Sequence, residues 1–341
     1  MKAGYIFSLI GSSLAQDSPS FADAELAVDP VSYFAAASKL VNLGNVRKLL
    51  SQIDTFPPKK IPNLTKFKPI SIEALRQGLE ISYMSTCPEA KITSFDCICS
   101  RDYSDISFAR NLEYRANALV GYNKKTKQVI VSFRYTNGLR NWLTNFDFLL
   151  GPMPGTPKGV QVHRGMLEHY MTLHNQTMHN VTKLVKAKEV KSIFVTGYSL
   201  GGSLAVLSTP FWAHFKKEHS IPVYIMGFSG ARIGNLEAKL HFESLGIPIN
   251  RYTNRDDIVP QIPPRSLGYT HIGLEIHERS RNIIGSELIV CSQEYDEDPD
   301  CAWGEPSFRN PIPHLAPFNH PMVVPPYCGL SSMRINLPNY A

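Results

Sequence analysis

The chain has 341 residues, 43% of them hydrophobic, enough for one large core or two modest ones. Its formal net charge is +6, with the basic residues scattered; the densest run, Lys183 to Lys191, reads as the solvated end of an amphipathic helix. No groove-reading motif or basic stripe accompanies that charge, so nucleic acid is not expected as a partner.

Met1 to Gln16 carries one lysine, a short apolar stretch and then Ser13-Leu14-Ala15. Small residues at the first and third of these positions suit a secretory signal cut near Ala15, which places the protein outside the cell; the alternative is a buried N-terminal strand. The stretch is too short to span a bilayer, and no other long apolar run follows, so no integral membrane segment is expected in the mature chain. Residues 16–68 differ in character. One amphipathic helix is expected from about Asp29, with Pro30 in its first turn. The stretch "DTFPPKKIPNLTKFKP" then reads as an exposed linker. A helix, a tether and the Lys59-Lys60 pair suggest a propeptide or a retained N-terminal extension over 16–68, leaving 69–341 as the main domain.

The elements of that domain alternate. "IEALRQGLEISYMS" has helical periodicity, and "ANALVGYN" and "KQVIVSFRY" read as strands joined by a lysine-containing turn. "GMLEHYMTLHNQTMHNVTKLVKAK" reads as a long helix, "SIFVTG" as a strand and "GSLAVLSTPFWAHFKK" as a helix. "IPVYIMGFSG" and "PINRYTN" are further strands. Such succession implies an α/β fold with a largely parallel sheet covered by helices on both faces.

Between "SIFVTG" and its helix stands Gly197-Tyr198-Ser199-Leu200-Gly201. G-x-S-x-G at a strand-to-helix turn is the setting of a nucleophile elbow, where a serine hydroxyl stands exposed above a sheet. The glycines remove Cβ atoms where strand and helix pass close together, and the helix N-terminus offers free N–H groups to developing negative charge. An activated serine needs a histidine base and an acid to orient it, here in the order Ser, acid, His. Asp256-Asp257 ends the strand "NRYTN", and His271, His277, His314 and His320 lie beyond.

"FRYTNGLRNW", "VHRGML", "TGYSLGG", "ARIGN", "RDDIVPQIPP" and "PFNHPMVVPPYCGL", in this order over about residues 70–341, resemble landmarks of the fungal class 3 lipase family. The resemblance implies an α/β-hydrolase fold, secretion behind a signal and propeptide, and hydrolysis of triacylglycerols without a cofactor. It implies Ser199 as nucleophile, Asp257 as acid and His320 as base, with Thr136 and Leu200 forming the oxyanion hole. It leaves His271 and His163 as structural histidines. Three positions depart from the family pattern: Tyr135 stands for glycine, Tyr198 for histidine and Pro321 for leucine. The resemblance also suggests disulfides Cys87–Cys328 and Cys291–Cys301, leaving Cys97 to pair with Cys99. The cysteine spacing does not suit zinc, so no metal is expected. Asn63, Asn175 and Asn180 head glycosylation sequons.

After Thr136, Leu139, Trp142, Leu143 and Phe146 recur at i, i+3, i+4 and i+7 between glycine-containing turns. A short helix near 137–150 with this apolar face reads as a lid that opens at an oil–water interface; the bland reading is a core helix. The expected function is therefore triacylglycerol hydrolysis, the alternative a feruloyl or short-chain carboxylesterase without interfacial activation. A silent hydrolase-fold binding protein is disfavoured because serine, acid and histidine candidates are all present.

Overall fold

The computed structural model describes residues 57–61, 66–87, 102–135, 148–280, 286–304 and 312–315. The signal, the helix expected after Asp29, Asn63, Cys97, Cys99, Thr136, Leu139, Trp142, Leu143, Phe146, His320 and Cys328 lie outside the described residues.

Helix α1 (Ile72–Met84) starts at Ser71, whose Oγ accepts from Ala74 N–H at 3.2 Å. A mixed sheet of eight strands follows, in the order β1-β2-β3-β6-β7-β8-β9-β10. Its centre is parallel: β3 (Gln128–Phe133), β6 (Ser192–Tyr198), β7 (Val223–Phe228), β8 (Ile249–Asn254) and β9 (Leu274–Ser280). The edges are antiparallel, with β1 (Tyr103–Asn111) and β2 (Ala116–Asn123) on one side and β10 (Ser286–Val290) on the other. A separate ribbon pairs β4 (Leu150–Pro152) with β5 (Gln161–His163). Helices α2 (Arg164–Ala187), α3 (Leu200–Leu207), α4 (Thr209–His219), α5 (Leu236–Ser244) and α6 (Ile312–Leu315) complete the described elements.

Alternation along the central strands sorts the core into two layers. Ile193, Val195 and Ile225 face Met166, Tyr170, Leu204 and Trp212 of α2, α3 and α4. Phe194, Tyr198, Met226 and Phe228 face Leu75 and Leu79 of α1. Gly78 lets α1 sit close, because a Cβ there would lie 2.9 Å from the Phe228 ring. This is the α/β-hydrolase arrangement expected from the sequence. Among the described residues, no helix is long and apolar enough to cross a membrane.

The structure alters two local expectations. The helix read as continuous through "GSLAVLSTPFWAHFKK" breaks at Ser208. Pro210 has no N–H for the Val206 carbonyl, and the Thr209 hydroxyl donates to it instead, at 2.6 Å. The stretch read as an exposed linker is partly docked. Lys60 bridges Tyr295, Lys59 N–H donates to Asp296 Oδ1 at 2.7 Å, and Ile61 N–H to the Glu294 carbonyl at 2.9 Å. Lysine-rich composition reports where side chains point; this pairing uses the backbone.

Of the expected disulfides, Cys291–Cys301 is the one whose two cysteines are both described. Cys291 and Cys301 are bonded, and Cys87 is disulfide-bonded to a partner outside the described residues. Asn175 and Asn180 lie on α2, the first exposed and the second half-buried.

Candidate active site

Ser199 sits between β6 and α3 with φ 55° and ψ −124°, a backbone conformation that costs a non-glycine residue about 1–3 kcal/mol. Its surroundings hold it there. Ser199 N–H donates to the Phe228 carbonyl at 2.8 Å, and its own carbonyl accepts from Ser203 N–H at 3.1 Å. A Cβ on Gly201 would lie 2.0 Å from the Phe133 carbonyl oxygen, and one on Gly197 would lie 2.3 Å from the Gly201 backbone. One on Gly202 would meet the Phe228 carbonyl at 2.7 Å. No side chain fits at these three positions, which is why the serine turn is written in glycine. Leu200 is the first residue of α3, so its N–H is among the donors that a helix leaves unpaired at its start.

The acid follows β8. Asp257 is buried, whereas Asp256 is half-buried, and this separates the two candidates. Asp257 Oδ1 accepts from Val259 N–H at 2.9 Å, and Oδ2 lies 2.8 Å from His314 Nδ1. A carboxylate only accepts, so the imidazole carries its proton on Nδ1 and leaves Nε2 free to take one. Among the described residues the partner of Asp257 is thus His314; the expected base, His320, lies outside them. His314 and His320 sit six positions apart in a proline-rich stretch, so sequence alone does not separate them.

Two side chains pin the backbone that carries this histidine. Tyr198 Oη donates to the His314 carbonyl at 2.6 Å, and Asn254 Nδ2 donates to the carbonyl of Pro313. The Tyr198 and His314 rings are 5.2 Å apart. Burial raises the Tyr198 phenol well above its usual range, and the Asp257 charge adds to the effect, so the hydroxyl stays a donor. The departure at position 198 therefore ties the serine turn directly to the histidine segment. Sequence reasoning marked Tyr198 as a departure from the family pattern and missed this contact. The only available signal was a phenol where the family has an imidazole.

The loop after Asp257 is fixed by a buried ionic cluster. Arg232 forms a bidentate pair with Glu297, at 2.7 and 2.8 Å, and also donates to the carbonyls of Gln261 and Pro263. Arg265 reaches Asp296 at 2.6 Å. Burial alone would raise the Glu297 carboxyl, but the Arg232 charge and hydrogen bonds hold it well below the usual range. The disulfide Cys291–Cys301 closes the loop that carries Asp296 and Glu297.

The remaining histidines have other work. His271 Nε2 meets the Pro260 carbonyl at 2.7 Å, and its N–H donates to Glu297. His277 Nδ1 meets Thr253 Oγ1 at 2.9 Å. His163 caps α2, its Nδ1 3.4 Å from Met166 N–H, and burial lowers its pKa to about 3.

An elbow serine, a buried acid–histidine pair and an open helix start within one α/β-hydrolase sheet agree with the similarity to known proteins. The family described as Lipase (class 3) matches residues 130–267. The chain is 30% identical over 230 residues to a lipase of Rhizopus niveus, covering 66% of this chain and 57% of that protein. Over this stretch the chain is similar to the class 3 lipases. A lipase of Rhizomucor miehei is 29% identical over 241 residues, covering 70% of this chain and 65% of that one. The chain thus spans less than two thirds of the length of these curated relatives. Among solved structures, the triacylglyceride lipase of Rhizomucor miehei superposes with a TM-score of 0.67 at 25% identity, covering 77% of this chain and 100% of that one. The family match includes Ser199 and Asp257 but ends before His314.

Proposed function

We propose that this protein is a secreted serine hydrolase that cleaves the carboxylic ester bonds of triacylglycerols, with Ser199 as nucleophile, His314 as base and Asp257 as the acid orienting it. The observation that carries the reading is the buried 2.8 Å contact between Asp257 and His314, with His314 tied to Tyr198, the residue next to a serine held at φ 55°. In this reading His314 Nε2 takes the Ser199 hydroxyl proton as the oxygen attacks the ester carbonyl. Asp257 stabilises the imidazolium, and His314 then returns the proton to the departing alcohol. Water repeats the sequence on the acyl-enzyme. Leu200 N–H and Thr136 supply the oxyanion donors, each worth about 2.7–4 kcal/mol.

Ser199 is only 3% exposed, so substrate reaches it after something uncovers it. That burial supports the lid reading of residues 137–150. Opening a face of Leu139, Trp142, Leu143 and Phe146 costs about 1.5–3 kcal/mol per side chain in water, a cost that a lipid surface offsets. One related structure, a fungal lipase–inhibitor complex at 26% identity, is described as a model for interfacial activation in lipases. Secretion draws support from the relative named as a secreted mono- and diacylglycerol lipase in Fusarium solani. The propeptide over 16–68 rests on the sequence, with cleavage near Lys59-Lys60.

The test is a rate profile on triglycerides of increasing chain length, through their solubility limits. A jump in rate at the limit, weakened by Trp142→Ser, is expected. A smooth curve unchanged by that substitution would replace the lipase reading with an esterase.

A further inference from the structure

We propose that the tip of the β1–β2 hairpin, residues 110–115, is a second lipid-contacting element that seats the protein on an anionic lipid surface next to Ser199. The proposal rests on the lipid-ester reading above and adds a surface separate from the lid.

Placement is the first argument. Ala118 of β2 pairs with Phe133, the last residue of β3, and Phe133 pairs with Gly197, two residues before Ser199. The hairpin tip therefore projects from the same end of the sheet as Ser199. β1 and β6 are three strand spacings apart, about 14 Å. The start of α2 packs at this end too, since the His169 ring meets Tyr114 edge-on at 6.2 Å.

Exposure is the second. Among the described residues, Leu112 is the most exposed large hydrophobic side chain, at 88%. Tyr114, Met171 and Leu149 follow at 45–47%, all near this end; the Leu149 carbonyl accepts from the first N–H of α2. Hairpin tips normally favour polar turn formers. Here Asn111 Oδ1 accepts from Tyr114 N–H at 3.0 Å, and Arg115 N–H donates to the Leu112 carbonyl at 3.2 Å, so the turn holds Leu112 outward.

Charge selects the occupant. Exposed Arg110 and Arg115 flank the tip, and Glu113 is the one acid between them. Arg110 also lies over the Phe108 ring at 4.6 Å. Ester hydrolysis leaves carboxylates at a lipid–water boundary, so the surface on which such an enzyme works becomes anionic. A cationic rim around an apolar tip matches that chemistry, with each arginine contributing about fivefold in adsorption.

The full chain carrying Ser199→Ala, which leaves the lipid composition constant, is tested for adsorption to phosphatidylcholine vesicles and to vesicles of phosphatidylcholine and phosphatidylglycerol in equal amounts. Stronger, salt-sensitive adsorption to the anionic vesicles is expected, weakened about tenfold or more by Leu112→Ser with Tyr114→Ser. Arg110→Gln with Arg115→Gln should remove the preference for anionic vesicles, and provides a second arm should the first pair impair folding. With Ser199 intact, the Leu112→Ser, Tyr114→Ser protein should hydrolyse a dissolved short-chain ester at an unchanged rate and an emulsion more slowly. Equal adsorption of all variants overturns the proposal, as does sedimentation showing that the tip instead pairs two copies of the chain. Loss of hydrolysis of the dissolved ester by the unaltered protein would sink the catalytic reading instead, and leave the adsorption result to judge the hairpin.

Discussion

The turn around Ser199 and the corner where Asp257 meets His314 serve one site but are held by different forces. The turn is local: Gly197, Gly201 and Gly202 leave no room for a Cβ, and the strained serine is locked by its neighbours' backbones. The corner joins residues 57 positions apart through side chains: Tyr198 and Asn254 on the histidine segment, and Arg232, Arg265, Asp296 and Glu297 around the acid-bearing loop. Backbone sterics tolerate almost no substitution. Side-chain hydrogen bonds can be weakened one at a time. The turn should therefore fail abruptly and the corner gradually.

The sharpest contrast comes from removing the reacting groups. Ser199→Ala and His314→Ala should each cost about 10⁴-fold or more in turnover of a dissolved ester, and the double variant little beyond that, because such a set acts as a unit. His320→Ala should retain most activity. If His320 proves the sensitive histidine, the corner described here is not the working one.

Next in size is the turn itself. Gly201→Ala forces a methyl group to within 2.0 Å of the Phe133 carbonyl oxygen, so a loss of stability above about 4 kcal/mol is expected in chemical denaturation. Near-native stability would mean that the strand and helix can part without penalty.

Acid tests the corner. The Tyr269 ring, on the loop after Asp257, packs 5.9 Å from His163. Burial lowers the His163 pKa from 6.5 to about 3, so the unfolded chain binds the proton first. Stability thus falls as pH drops from about 6.5 towards 3. The depressed Glu297 carboxyl acts in the same direction: its contribution is present above the unfolded carboxylate pKa and lost as pH falls through the folded value. Melting temperature followed across this range should decline less steeply in His163→Gln than in the parent protein. Parallel declines would remove His163 from the account.

The smallest effect expected is that of Tyr198→Phe. It deletes one hydrogen bond, to the His314 carbonyl, worth about 0.5–1.5 kcal/mol, while the ring keeps its packing. A fall of several-fold in kcat with little change in KM is expected if the bond positions His314. A change in KM alone would assign Tyr198 to substrate binding.

Much of this was legible in the sequence. The strand "SIFVTG", the glycine-flanked serine and the following helix are adjacent in the chain, so periodicity and steric necessity reveal them together. Strands β6 and β7 were legible as buried apolar runs, and helix α2 by the helical period of its apolar residues. β1, β9 and β10 were not singled out, because their residues mix polar and apolar side chains at the sheet's margins. The break at Ser208 needed the position of Pro210 to be weighed against an otherwise helical pattern.

The sequence by itself determined the serine turn, because its demand on the backbone is met by residues within a few positions. Tertiary structure alone assigned His314 to Asp257, brought Tyr198 to the histidine segment and docked residues 59–61 against 294–296. Those choices depend on where a distant part of the chain returns, and no local pattern separates one proline-flanked histidine from another.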